Sequence, residues 1–395
     1  HPAQIIQSLP NAIAVLLDPA DCGPAFISLP QDVQGWAYDY PLSMFEKKVH
    51  RIRRQTPDIA EITDAVSLLM TAKKPMIIAG GGVQYSRAVT ELTNFAENHQ
   101  IPVVETIAGR ANLLDNHPMN IGPIGVTGSN SANTIAEQAD IIIAVGTRLQ
   151  DFTTGSWTAF SKEAKFISIN AGRHDAGKHK SFPIVGDAKL SILNLEKFLN
   201  GYVAPHEWVL KAQKYRTEWN KYVTKNVASG NRPNSYAMAI GVVNQLCDKR
   251  DRIVAAAGGL PAEVTANWRT LDQGTVDVEF GFSCMGYEIS GAWGARIAQI
   301  EREPDQDTIV FIGDGSYMMM NSDIYSSVIS QKKLIILVLD NGGFAVINKL
   351  QNSSGNESFN NLIIDCPTVT DPLPINFEAH ARAQGAVAET VFNPA

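Results

Sequence analysis

The sequence has little of what marks a secreted, membrane-spanning or nucleic-acid-binding chain. Only four cysteines occur in 395 residues, at Cys22, Cys247, Cys284 and Cys366. No two of them have the short spacing of a zinc site or a redox dithiol, a pattern that fits structural thiols in a reducing cytoplasm. No apolar run reaches the roughly 18 residues that a membrane-spanning helix needs. Lys and Arg number 33 against 40 Asp and Glu, a net charge of −7, and no basic block interrupts that balance. The electrostatic footprint of nucleic-acid binding is therefore missing. Internal repeats and low-complexity tracts are missing too. The opening His1-Pro2-Ala3-Gln4 is neither an initiator start nor a signal peptide, so the sequence is expected to begin inside a longer natural chain.

What is present has the composition of a globular protein, with 45% hydrophobic and 18% charged residues. A chain of this length exceeds one hydrophobic core and implies two or three domains. Residues 3–17 read as a helix and 24–29 as a short strand, with a polar tail to residue 48. From Lys73 the pattern becomes regular. Apolar strands at 75–79, 101–105, 139–145 and 166–170 alternate with helices at 86–97, 131–138 and 187–198, and Gly80-Gly81-Gly82 reads as a turn. Residues 208–227 read as a surface helix leading to a linker at 228–233. Beyond it, strands at 252–257, 308–312 and 334–339 alternate with helices at 236–247, 286–300 and 318–330. Short apolar strands alternating with helices predict an α/β fold of parallel-sheet, three-layer domains.

The segment that carries chemistry is Ile309-Val310-Phe311-Ile312-Gly313-Asp314-Gly315-Ser316, followed by strand 334–339 and Asp340-Asn341-Gly342-Gly343. Asp314 and Asn341 each follow an apolar strand, and ligands of open parallel sheets bind beyond the carboxyl ends of the strands. A carboxylate, an amide oxygen and a backbone carbonyl form a hard-oxygen set suited to magnesium. Gly313 and Gly315 let the backbone close on a ligand. A helix starting near Ser316 offers free N–H groups and its positive dipole end to phosphate.

This combination resembles the signature of thiamine-diphosphate-dependent enzymes. Ser283-Cys284-Met285-Gly286-Tyr287-Glu288-Ile289-Ser290-Gly291-Ala292 is similar to the family stretch in which a bulky apolar residue precedes a glycine-rich helix. The resemblance implies that Met285 is the wedge that bends the cofactor and that the Ser283 carbonyl accepts from its aminopyrimidine amine. Gly258-Gly259 looks like the family's second diphosphate-contacting turn. The implied cofactors are thiamine diphosphate and Mg2+. Asp314, Asn341 and Gly343 would hold the metal, and Gly258, Gly259, Ser283, Met285, Gly313, Gly315 and Ser316 would meet the cofactor. Asn348 and Glu288 join Met285 as catalytic candidates. Asn348 lies where family members place substrate contacts, and Glu288 opens a helix, where the dipole favours a carboxylate.

Within the family the resemblance is to a hydrolase branch of myo-inositol breakdown. It is carried by Leu29-Pro30-Gln31-Asp32-Val33-Gln34-Gly35, by Ala37-Tyr38-Asp39-Tyr40-Pro41, by the run from Val145 to Trp157, and by Asp175-Ala176-Gly177-Lys178-His179. It implies hydrolytic C–C ring cleavage of a cyclic polyol dione, with a cytoplasmic homodimer or homotetramer as the working form. Residues 1–55 would be the end of a pyrimidine-binding domain, 56–200 a middle domain, 201–232 a helix and linker, and 233–395 a diphosphate-binding domain lacking its last strand. The family glutamate that protonates the cofactor ring belongs to the pyrimidine-binding domain and has no counterpart here. Two alternatives stay open: another lyase or carboligase resembling acetolactate synthase, and a non-catalytic nucleotide-binding or assembly module. The glycine run 80–82 lacks GxGxxG spacing and is weak as a dinucleotide signal. Arg148 and Asp151 read equally as substrate contacts or as an ion pair.

Overall fold

Strands that are apolar at every position need cover on both faces, which places them centrally in parallel sheets. The computed structural model describes residues 1–228, 235–371 and 373–392. Its strands are β1 (Pro75–Ala79), β2 (Val103–Glu105), β3 (Asn120–Pro123), β4 (Ile141–Val145), β5 (Lys165–Asn170) and β6 (Phe182–Val185), then β7 (Arg252–Ala255), β8 (Val276–Val278), β9 (Thr308–Gly313) and β10 (Ile335–Leu339). The first six form one parallel sheet in the order β3-β2-β1-β4-β5-β6, and the last four form a second in the order β10-β9-β7-β8. The wholly apolar β1 and β4 sit side by side at the centre and are buried along their length. Separate apolar clusters line the two faces of each sheet, so both units have the expected three layers. Side-chain caps start the helices: Asp58 caps Ile59–Leu69, Ser129 caps Asn130–Gln138, Asp187 caps Ala188–Phe198, and Ser235 caps Tyr236–Leu246.

Several local expectations are corrected. Residues 24–29 form no strand, because extended backbone needs a partner ladder and finds none among the described residues; Phe26 stands exposed there. β3 and β6 are additional to the four expected strands of the first sheet; each is short and contains proline. Residues 80–82 are not a free turn, since Gly80 caps a short helix, Gly81–Tyr85. The stretch 318–330 is two helices, Asp314–Met319 and Asp323–Ile329, broken where Met320 leaves the helical region at φ −148° and ψ 86°. The surface helix is longer, His206–Val227, and buries Trp208, Val209, Ala212 and Val223. It packs against Asn130–Gln138 on one side and Tyr236–Leu246 on the other, joining the two units. The expected linker lies, beyond Ala228, outside the described residues, as do the final residues 393–395.

At the crevice between β1 and β4, where sheets of this strand order hold dinucleotides, glycines serve backbone packing. The Gly82 N–H donates to the Gly146 carbonyl at 2.9 Å, and a Cβ at Gly80 would lie 2.3 Å from that same oxygen. The two units also meet directly. Arg110 donates to the Trp268 carbonyl at 2.9 Å, Arg269 pairs with Asp115 at 3.1 Å, and Phe152 meets Phe280 edge-on with ring centres 4.5 Å apart.

Candidate active site

Parallel pairing of β9 with β10 sets Leu339 beside Gly313, so Asp314 and Asp340 emerge together at one sheet edge. Asp314 is 5% exposed. Its carboxylate accepts the Gly343 N–H at 2.7 Å and, more weakly, the Asn341 N–H at 3.4 Å. Burial pushes its pKa above the ordinary aspartate range and Asp340 adds to the push, while the two N–H groups oppose it. No basic side chain pairs with Asp314 among the described residues. A buried carboxylate without a cationic partner is costly, and a metal ion is one way of relieving it. Among the described residues no cluster of three or more His, Cys, Asp or Glu could hold a metal. A cation here would therefore rest on Asp314, an amide oxygen and main-chain carbonyls, which is the chemistry of a hard-oxygen site.

The loop after β10 is shaped for that purpose. Asp340 accepts the Gly342 N–H at 2.9 Å, and Gly342 and Gly343 have φ of +79° and +141°. A side chain at Gly343 would strike the Asn361 carbonyl at 2.5 Å. The Asn341 amide N–H donates to the Tyr236 hydroxyl, which leaves its amide oxygen available as a ligand. Gly258, at φ +102°, has open space where a Cβ would be, and Gly259 lies against Val346 beyond the same loop. Gly313 is equally open, and Gly315 is pressed by Phe344. Next to these residues a cavity of about 230 Å3 is lined by Asp314, Asp340 and Asn341 on one side and by Ile363, Leu373 and Phe377 on the other.

The loop that carries Met285 joins this edge through its neighbour Gly286. Ser283 sits in the left-handed region at φ +54°, and Gly286 at φ +92° opens the helix Tyr287–Ile300. The Gly286 N–H is shared between Ser316 Oγ at 2.8 Å and Glu288 Oε2 at 2.9 Å. Ser316 in turn donates to the Glu288 carboxylate at 2.8 Å. The Met285 loop is thus tied to the helix that begins at Asp314, two residues before the expected start. What Ser316 offers a ligand is its main-chain N–H, because its hydroxyl faces inward to Glu288.

Glu288 itself is 1% exposed, and burial raises its pKa against the pull of Ser316 and Gly286. It lies beneath the site and does not line it. Asn348, 9% exposed on the helix Ala345–Ser353, donates to Ser358 at 3.0 Å and leaves its amide oxygen buried without a partner among the described residues. Arg148 does not pair with Asp151; it faces Asp175 at 3.7 Å, and Asp151 accepts from Ser156. The sequence reading missed Tyr236, Glu279 and Phe280. Tyr236 belongs to no motif, and the contacts of all three appear only on folding.

Comparison with known proteins bears directly on this edge. The family signature "Thiamine pyrophosphate enzyme, central domain" matches residues 62–195, and "Thiamine pyrophosphate enzyme, C-terminal TPP binding domain" matches residues 256–395. The chain belongs to the thiamine pyrophosphate enzymes. Every site residue named above except Tyr236 and those around Arg148 lies inside the TPP-binding match. Among its relatives, the 3D-(3,5/4)-trihydroxycyclohexane-1,2-dione hydrolase of Geobacillus thermodenitrificans is 40% identical over 383 residues, covering 91% of this chain and 59% of that protein. The hydrolase of the same name from Clostridium perfringens is 40% identical over 380 residues, with 90% and 59% covered. That from Bacillus anthracis is 38% identical over 385 residues, with 91% and 59% covered. The chain thus spans 59% of the length of these relatives. No helix among the described residues is long and apolar enough to cross a membrane.

Proposed function

We propose that this chain holds the metal and diphosphate end of thiamine diphosphate in a magnesium-dependent hydrolase that cleaves a ring C–C bond of trihydroxycyclohexane-1,2-dione. The observation that carries the reading is Asp314, a buried carboxylate with no basic partner among the described residues, beside Asn341, whose amide N–H is taken up by Tyr236. The relatives' shared name supports the substrate. Bound thiamine diphosphate would supply the electron sink for C–C cleavage. The chain's own residues provide position and charge. The Asp314 carboxylate, the Asn341 amide oxygen and the Gly343 carbonyl would hold Mg2+, which would supply positive charge to anchor the diphosphate. Gly258, Gly259, Gly313 and Gly315 let main chain approach it, joined by the Ser316 N–H. The Ser283 carbonyl would accept from the cofactor's amine, Met285 would press on the cofactor, and Asn348 would offer the substrate an amide oxygen that has no partner among the described residues.

Residues 56–200 act as the middle domain and 233–395 as the diphosphate-binding domain, joined through 201–232, with 1–55 contributing the end of a pyrimidine-binding domain. The reading includes a cytoplasmic homodimer or homotetramer acting in myo-inositol breakdown, in keeping with four free cysteines. The test is titration calorimetry with thiamine diphosphate and Mg2+, followed by product analysis of the full-length protein with the cyclic dione and with pyruvate. Acid release from the dione supports the hydrolase. Acetolactate from pyruvate with no turnover of the dione would replace it by a carboligase, and cofactor-independent binding of ADP would replace it by a nucleotide-binding module.

A further inference from the structure

Two carboxylates grip the chain on either side of Met285. Before it, Glu279 accepts the N–H of Phe282 at 3.0 Å and that of Cys284 at 2.8 Å, and pairs with no basic side chain among the described residues. After it, Glu288 accepts the Gly286 N–H at 2.9 Å and the Ser316 hydroxyl at 2.8 Å. The residue between these grips is half-buried and has no polar group of its own to fix it. Its loop holds Ser283 in the left-handed region at φ +54°, a conformation that persists only where the surroundings over-determine it. Gly286 closes the arrangement, since a Cβ there would meet the Met320 side chain at 2.6 Å.

We propose that Glu279 and Glu288 are positioning residues for Met285: together they clamp the N–H groups of Cys284 and Gly286, and Glu288, through Ser316, locks the wedge to the helix that carries Asp314. The two ends of the cofactor site then move as one unit. Hydrogen bonds from main-chain N–H to carboxylate are among the stronger and more directional ones, which suits a part whose function is placement. Neither carboxylate touches a reacting atom; each acts through Met285. This proposal rests on the cofactor reading above, and its test is chosen to fail separately from it.

The first measurement is native-state amide hydrogen exchange, which needs no turnover. The Cys284 and Gly286 amides are expected to be protected in the parent, Cys284 to lose protection in Glu279→Ala, and Gly286, which keeps Ser316 Oγ as a second acceptor, to lose part of it in Glu288→Ala. Free exchange of both amides in the parent, or full protection in the variants, overturns the clamp whatever the cofactor does. The second is turnover of the full-length protein. Each Ala variant is expected to lower kcat roughly tenfold to a hundredfold, as small misplacements do, with KM and cofactor affinity near the parent's. Glu279→Gln, which keeps one acceptor, should recover part of the loss. In a Met285→Ala background neither variant should lower kcat further, because the residue they act through is gone. Losses that multiply in that background would show a general structural role and overturn the proposal. A parent that shows the protection pattern but does not turn over the cyclic dione would refute the proposed substrate and leave the clamp standing.

Discussion

Replacing Asp314 by Asn should uncouple folding from cofactor binding, and the structure gives the direction of the effect on folding. Asn keeps an oxygen to accept the Gly343 N–H, now at 2.7 Å, and removes a buried charge with no basic partner among the described residues. The sign follows from the raised pKa of Asp314. Below the unfolded value of 3.8 both states are protonated, and the carboxyl costs nothing. As pH rises through the higher folded value, ionisation favours the unfolded chain, and stability falls. In metal-free buffer Asp314→Asn should therefore match the parent in acid and equal or exceed it at neutral pH. Asp314→Ala should lose about 1–2 kcal/mol instead, because it leaves the Gly343 N–H without an acceptor.

Binding runs the other way. Removing the one ionised ligand should weaken Mg2+-dependent thiamine diphosphate binding at least about a hundredfold, beyond the 10–100-fold typical of losing a residue that only supports a ligand. A hundredfold excess of cofactor over its dissociation constant adds about 2.7 kcal/mol to the parent's stability, and Asp314→Asn should gain almost none of it. Thermal unfolding from pH 4 to 8, with and without cofactor and Mg2+, reads both effects. A metal-free Asp314→Asn protein clearly less stable than the parent at neutral pH, or one that binds cofactor as tightly, would refute the reasoning.

Met285→Ala should leave cofactor affinity nearly intact and lower kcat, since a wedge acts on conformation more than on binding; normal turnover with collapsed affinity would contradict that. Tyr236→Phe removes the hydroxyl that orients Asn341, and should weaken Mg2+ affinity about tenfold in calorimetry without changing the fold. Arg110→Met should cost about 3–5 kcal/mol in urea unfolding, because it strands Glu105, which is fully buried and already pushed upward in pKa by burial. The double variant Arg110→Met with Glu105→Leu should recover much of that loss, and strictly additive costs would argue against the pair.

Much of this protein was legible from short-range pattern. β1, β4, β9 and β10 are largely apolar runs, so their existence and parallel pairing followed from composition alone, whereas only the fold puts β10 at the edge of its sheet, where it is partly exposed. Asp314 and Asn341 each follow such a run, which is why their convergence could be expected before folding. Other features were decided only by tertiary structure. Residues 24–29 have a strand's composition and no ladder among the described residues, because pairing is a property of two segments and not of one. β3 and β6 contain glycine or proline that local pattern reads as punctuation, and they are strands because β2 and β5 offer them an edge. Glu288 sits at a helix start, where sequence favours an acid at the surface, yet Ser316 and Gly286 draw it inward as a buried brace. Tyr236 and Glu279 carry no signal at all in one dimension. Periodicity specifies which face a residue takes within its own element, but hydrogen bonds spanning 105 residues, as from Asn341 to Tyr236, depend on how separate elements pack.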